Sequence, residues 1–158
     1  MRAVLCKEFG SHKDLVVAEV PPPADPGPGQ VKIAVGAAGL NFADLLMIGG
    51  SYQEKPALPF VPGLEAAGTV LACGPGVTRV APGDRVLALV DHGAFAEQAL
   101  AREADVHPLP PGMDEVTAAG FAIAYGTAHG ALRWRADLKH GETVLVHGAG
   151  GGVGLAAV

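Results

Sequence analysis

Gly148 to Gly154, Gly-Ala-Gly-Gly-Gly-Val-Gly, is the stretch of this 158-residue sequence whose spacing most directly suggests chemistry. Glycine leaves backbone N–H groups uncovered, so such a turn lets those donors approach an anionic group. A helix starting just behind it adds the positive end of its dipole. Two alignments to a G-x-G-x-x-G spacing are open. Ala149-x-Gly151-x-x-Gly154 keeps the offsets but puts alanine in the first glycine's place, whereas Gly148-x-x-Gly151-x-x-Gly154 fits a variant with spacing three. The same residues also read as a glycine-rich turn with no ligand.

The flanking residues decide how that turn is carried. Thr143-Val-Leu-Val146 is β-branched and aliphatic with little alternation, as in a strand buried on both faces. Leu155-Ala-Ala-Val158 is a good helix opening. Strand, glycine turn and helix start make the first unit of a dinucleotide-binding fold, with Ala149, Gly150, Gly151, Gly152, Val153 and Gly154 placed to cradle a pyrophosphate. The residue that reads the ribose is expected about 20 positions further on, beyond Val158. A doubly wound sheet also needs further parallel strands. The sequence therefore reads as the N-terminal portion of a longer enzyme, itself expected to be inactive as it stands.

Composition narrows the class. Hydrophobic residues make up 49% and charged residues 17%, which fits a globular chain with a core. A net charge of −5 with no basic run argues against nucleic acid or an anionic membrane as partner. No apolar stretch approaches a membrane span, and the start of the chain reads as a strand, too short for a signal segment. Two widely separated cysteines, Cys6 and Cys73, imply no disulfide framework and point to a reducing cytoplasm.

In chain order, strands are expected at 2–7 and 14–20 around the polar turn Gly10–Asp14. Pro21 to Gly29, with five prolines and two glycines, is an exposed connection. A strand follows at 30–38, then a short helix capped by Asn41 with Asp44 in its first turn and ended by Gly49-Gly50. Leu58 to Glu65 is a proline-bent loop that delivers Glu65 into a strand reaching Ala72. Further strands at 85–90 and 93–101 are separated by Gly/Pro turns, the texture of a β-barrel or sandwich. From Asp114 to Trp134 the chain turns alanine-rich and helical, and the domain boundary falls there.

Several segments together carry a family resemblance: Gly39-Leu-Asn-Phe-Ala-Asp44, Pro62-Gly-Leu-Glu-Ala-Ala-Gly68, Pro82-Gly-Asp-Arg-Val86, Ala124-Tyr-Gly-Thr-Ala128 and Gly141 to Gly154. Their identity and order resemble the medium-chain dehydrogenase/reductase family, and within it the zinc-independent NADPH:quinone oxidoreductases. The resemblance implies an α+β fold. A GroES-like β-barrel catalytic domain over residues 1–125 is followed, over 126–158, by a linker helix and the incomplete start of an α/β Rossmann domain. It also implies NADPH as cofactor (NADH stays open), a small-molecule acceptor and a homodimer when full length.

Zinc-dependent members carry a cysteine where this chain has Asn41 and a histidine where it has Leu64. Neither asparagine nor leucine suits zinc, so no metal is expected. Without a Lewis acid, the implied reaction is hydride transfer to an acceptor that is already electrophilic, a quinone or an α,β-unsaturated carbonyl. Asn41 could bond the nicotinamide ribose or the acceptor oxygen, and is equally a helix cap. Tyr52 matches a cleft-lining tyrosine whose phenol could donate to an oxyanion, or it is a surface tyrosine. Thr127 matches a threonine that faces the nicotinamide, or it bonds its own helix. Asp44 and Glu65 read better as loop braces than as general acids. Leu46 and Ile48 stand where many relatives have tyrosine and arginine, which favours a hydrophobic acceptor. An enoyl-thioester reductase and a non-catalytic interaction member of the family are the alternative readings.

Overall fold

A computed structural model describes every residue from Met1 to Val158. The chain divides into two compact units, Met1–Gly120 and Phe121–Val158.

The first unit is built on β structure. Strands β1 (Arg2–Leu5) and β2 (Val16–Glu19) pair antiparallel, and a single helical turn at His12–Asp14 lies between them. The main sheet contains β3 (Gln30–Ala38), β4 (Glu65–Cys73), β5 (Arg85–Leu89), β6 (Gln98–Arg102) and β7 (Val106–Pro108), in the order β6-β3-β4-β5-β7 and antiparallel throughout. The expected strand at 93–101 is shorter and later than the sequence suggests. Residues 93–97 form no strand of the main sheet; their backbone bonds are scattered over β1, the Pro62–Gly63 loop and β3, and they share the Ala3–Ala96 bridge.

Side-chain alternation explains the sheet's core. Val31 and Ile33 on β3, Val70 on β4, Val86 and Ala88 on β5, and Val106 on β7 point to one side and are fully buried together. The sheet bends where β3 slips register against β4 between Val35 and Ala37. Opposite that slip stands Gly68, where a Cβ would lie 1.9 Å from the Ala34 carbonyl oxygen, so only glycine permits the close approach.

Two short helices complete the unit. Helix α1 (Phe42–Ile48) follows β3 and sinks Met47 and Ile48 into a second cluster with Cys6 and Phe60. Helix α2 (Glu115–Ala119) opens on Asp114, whose carboxylate accepts the Thr117 N–H at 2.8 Å, and lays Ala118 and Ala119 on Ala67 of β4.

The second unit is helical. Helix α3 (Ala122–His129) runs into a wider, π-helical turn at Gly130–Arg135, and α4 (Gly152–Ala157) packs back on α3. The sequence predicts a strand at Thr143–Val146; the structure corrects this, because the segment belongs to neither sheet and Leu145 is exposed. Strand character needs a ladder partner, which sequence preference cannot supply.

Candidate functional site

The first unit gathers three polar side chains around the start of α1. Asn41 is the N-cap, its backbone extended at φ −122° and ψ 153°. Its backbone N–H donates to Asp44 Oδ2 at 2.8 Å, the return bond of a capping box. Its side-chain amide donates through Nδ2 to Glu65 Oε1, also at 2.8 Å. Glu65 comes from the first position of β4, 24 residues along the chain. Both acids are buried, with 2% of each residue exposed.

Gly39 makes this convergence possible. A Cβ there would lie 2.3 Å from the Ala119 carbonyl oxygen and 2.5 Å from Glu65 Oε1. The Gly39 N–H also donates to the Glu65 carbonyl at 3.1 Å, tying β3's exit to β4's entry.

Electrostatics separates Asp44 from the many exposed carboxylates in the chain. Burial pushes the Asp44 carboxyl above the ordinary carboxylate range, and the nearby Glu65 pushes it the same way. The Asn41 and Gly63 backbone amides pull against both. Asp44 Oδ1 closes no hydrogen bond of normal geometry, and the Gly63 amide lies near enough to the carboxyl to favour its charged form.

Beside these residues lies a cleft of ≈ 560 Å³, walled by Leu15, Leu40, Phe42, Leu45, Ile48 and Phe95, with His12, Asn41 and Asp44 as its polar members. Leu40 and Phe42 flank Asn41 and are 86% and 73% exposed. Neither lysine nor arginine lines the cleft. Such an enclosure suits a flat apolar molecule with one or two hydrogen-bonding atoms.

The structure distributes the other predicted site residues unevenly. Tyr52 is not part of that cleft; it lies half-buried against the Cys6–Met47–Ile48–Phe60 cluster, with its backbone N–H on the Leu46 carbonyl. Its hydroxyl is not committed to a protein partner. Leu64 packs against the same apolar cluster. No three His, Cys, Asp or Glu side chains come together as a metal could require. Thr127 is exposed on α3 in the second unit, one turn beyond the stacked rings of Phe121 and Tyr125, whose centroids are 4.5 Å apart.

The glycine turn resolves its two alignments by geometry. Gly148 has φ +68°, Gly151 caps α4 with its N–H on the Gly148 carbonyl at 2.9 Å, and a Cβ on Gly154 would lie 2.2 Å from that same carbonyl oxygen. The backbone thus requires glycine at Gly148 and Gly154, both members of the spacing-three set, while a Cβ on Gly151 would come no closer than 3.4 Å. Gly150 meets nothing within 4 Å and is free of that demand. Ala149, Gly150, Gly151, Gly152, Val153 and Gly154 together form the loop and first turn of α4, with Gly150 to Val153 exposed.

Sequence reasoning took Asp44 as a loop brace and did not single out Gly39, His12 or Phe95. The only available signal was the run Gly39 to Asp44 itself, since nothing in local sequence tells that Glu65 returns to Asn41.

Comparison with known proteins gives this geometry its relatives. The Alcohol dehydrogenase GroES-like domain matches residues 27–111. A Quinone oxidoreductase-like protein 2 homolog from Nematostella vectensis is 44% identical over 158 residues, covering 99% of this chain and 43% of that protein. Among solved structures, the human synaptic vesicle membrane protein VAT-1 homolog-like protein superposes with TM-score 0.95 at 41% identity, over 99% of this chain and 50% of that one. The Escherichia coli quinone oxidoreductase, solved in complex with NADPH, gives TM-score 0.93 at 32% identity, over 99% and 48%. The chain spans about half the length of the relatives it matches.

Proposed function

The chain belongs to the family of the Alcohol dehydrogenase GroES-like domain, within the medium-chain dehydrogenases/reductases of quinone oxidoreductase type, and on that premise we propose that it serves a zinc-independent reductase. The complete enzyme would pass a hydride from NADPH to a quinone or an α,β-unsaturated carbonyl. Residues 1–125 would form its catalytic domain and 126–158 would open its dinucleotide-binding domain.

One observation carries this reading: Asn41, fixed by Glu65 at 2.8 Å, sits at the edge of an apolar cleft, in the place where zinc-using relatives present a thiolate. An amide cannot polarise a carbonyl as a Lewis acid does. It can align one by donating its second Nδ2 hydrogen, the first being held by Glu65, which suffices for an acceptor that is already electrophilic. The apolar cleft wall, Ile48 included, favours an uncharged hydrophobic acceptor. NADPH would be held by the second unit. The turn Gly148–Gly154 offers backbone N–H groups to the pyrophosphate, and Thr127 would face the nicotinamide. The cofactor supplies the hydride when bound; the protein's part is to orient it and keep water away. Tyr52, anchored outside the cleft lining on the Cys6–Met47–Ile48–Phe60 cluster, is the proposed donor to developing negative charge for an acceptor oxygen that extends past the cleft's edge.

The test is NADPH oxidation by the complete protein against quinones, enones and enoyl thioesters. Turnover with neutral quinones or enones supports the reading. Turnover confined to enoyl thioesters would move the enzyme to the fatty-acyl reductases, and no turnover at all would leave a non-catalytic member.

A further inference from the structure

We propose that Asp44 is a positioning residue for Asn41: by holding the Asn41 main chain, it keeps the side-chain amide on Glu65 and therefore in one orientation toward the reacting groups. This rests on the reading of Asn41 given above.

The chain supplies its own comparison. Asp14 accepts the Ser11 N–H and Asp84 accepts the Ala81 N–H, the same backbone contact three residues back, and both acids sit in water. Capping a turn therefore does not require burial. At Asp44 the same contact is made by an acid with 2% exposure, beside a second buried acid, and with Oδ1 left without any hydrogen bond. A buried unsatisfied oxygen is costly, and capping alone does not explain why it is kept here.

The geometry supplies the explanation. A carboxylate can only accept, so Glu65 Oε1 selects the Nδ2 side of the Asn41 amide and turns Oδ1 the other way. That selection holds only if the Asn41 backbone is fixed relative to β4. Asp44 Oδ2 fixes it from the helix side, and Gly39, with its N–H on the Glu65 carbonyl, fixes it from the strand side. Remove the Asp44 acceptor and the amide is free to rotate off Glu65, even though α1 stays anchored by Met47 and Ile48.

Nuclear magnetic resonance on the 158-residue chain reads this without cofactor. The Asn41 side-chain amide should exchange slowly with solvent in the parent and in Asp44→Asn, which keeps an acceptor oxygen. In Asp44→Leu, exchange should quicken by about tenfold or more while the Met47 and Ile48 methyl signals stay in place. Unchanged Asn41 protection in a folded Asp44→Leu overturns the proposal. Should that variant not fold, Asp44→Ala, which also removes the acceptor but adds no bulk, carries the same readout with the same two outcomes.

A double-mutant cycle on kcat/KM in the complete protein then separates this inference from the reading beneath it. If Asp44 acts through Asn41, adding Asp44→Leu to Asn41→Ala lowers kcat/KM by less than about twofold beyond Asn41→Ala alone. Multiplying losses would mean that Asp44 acts independently and would sink the inference. An Asn41→Ala variant with full activity would sink the reading of Asn41, while the amide-exchange result still decides whether Asp44 holds it.

Discussion

At the scale of single residues, Asn41 and its two acids set the testable chemistry. Asn41→Ala in the complete enzyme should lower kcat/KM about ten- to a hundredfold, the loss of one or two hydrogen bonds worth roughly 1.5–3 kcal/mol in all. Steady-state kinetics with a neutral quinone checks it. Tyr52→Phe should lower kcat by a similar factor with little change in NADPH affinity; an unchanged kcat, where chemistry limits turnover, returns Tyr52 to its packing role. Asp44 makes a separate prediction about stability. Its folded carboxyl holds its proton more tightly than the unfolded one, chiefly because of burial. The associated stability is therefore complete below the unfolded carboxylate range and is lost as pH rises through the raised folded value. Glu65 on β4 strengthens the trend, and His12 also borders the cleft. Asp44→Asn cannot ionise, so its stability relative to the parent should improve as pH rises from the unfolded carboxylate range through the raised folded value, and level off above it, in denaturant titrations. A constant difference across that range would mean that Asp44 is ionised in the folded protein like an exposed carboxylate.

At the scale of elements, glycines distinguish geometry that the chain requires from geometry that it tolerates. Gly39→Ala forces a Cβ against the Ala119 carbonyl and Glu65 Oε1, at 2.3 and 2.5 Å. It should cost about 1–3 kcal/mol and disturb the Asn41–Glu65 bond. Gly120→Ala meets nothing within 4 Å and should be close to neutral. In the turn, Gly154→Ala should destabilise the second unit, whereas Gly150→Ala should be accepted; thermal melts of the four variants decide both pairs. These differences were only half legible beforehand. The Val31–Ile33 alternation of β3, the Asn41 cap and the Gly49 stop of α1 could all be read from local pattern. Strand β7, three residues ending in Pro108, could not, because its only evidence is pairing with β5. Thr143–Val146 failed in the opposite sense: its side chains suit a strand, but a strand exists only with a partner.

At the scale of the molecule, the site depends on contacts distant in sequence. Asn41 meets Glu65 across 24 positions, so the sequence, which read Asp44 and Glu65 as braces, could not show that Asn41 is what they hold. Resemblance compensated for part of that gap, since five ordered segments pointed to the family before any coordinates did. It did not reveal that Asn41 is the shared partner of two buried acids, nor that Tyr52 stands outside the apolar cleft. The central claim is hydride transfer from NADPH to a neutral electrophilic acceptor without a metal. Its most direct measurement is anaerobic NADPH oxidation by the complete, chelator-treated protein with an uncharged quinone or enone. The account predicts one NADPH consumed per acceptor reduced, at a rate that chelation leaves unchanged. Loss of activity on chelation and recovery with zinc, or no NADPH oxidation with any such acceptor, would contradict it.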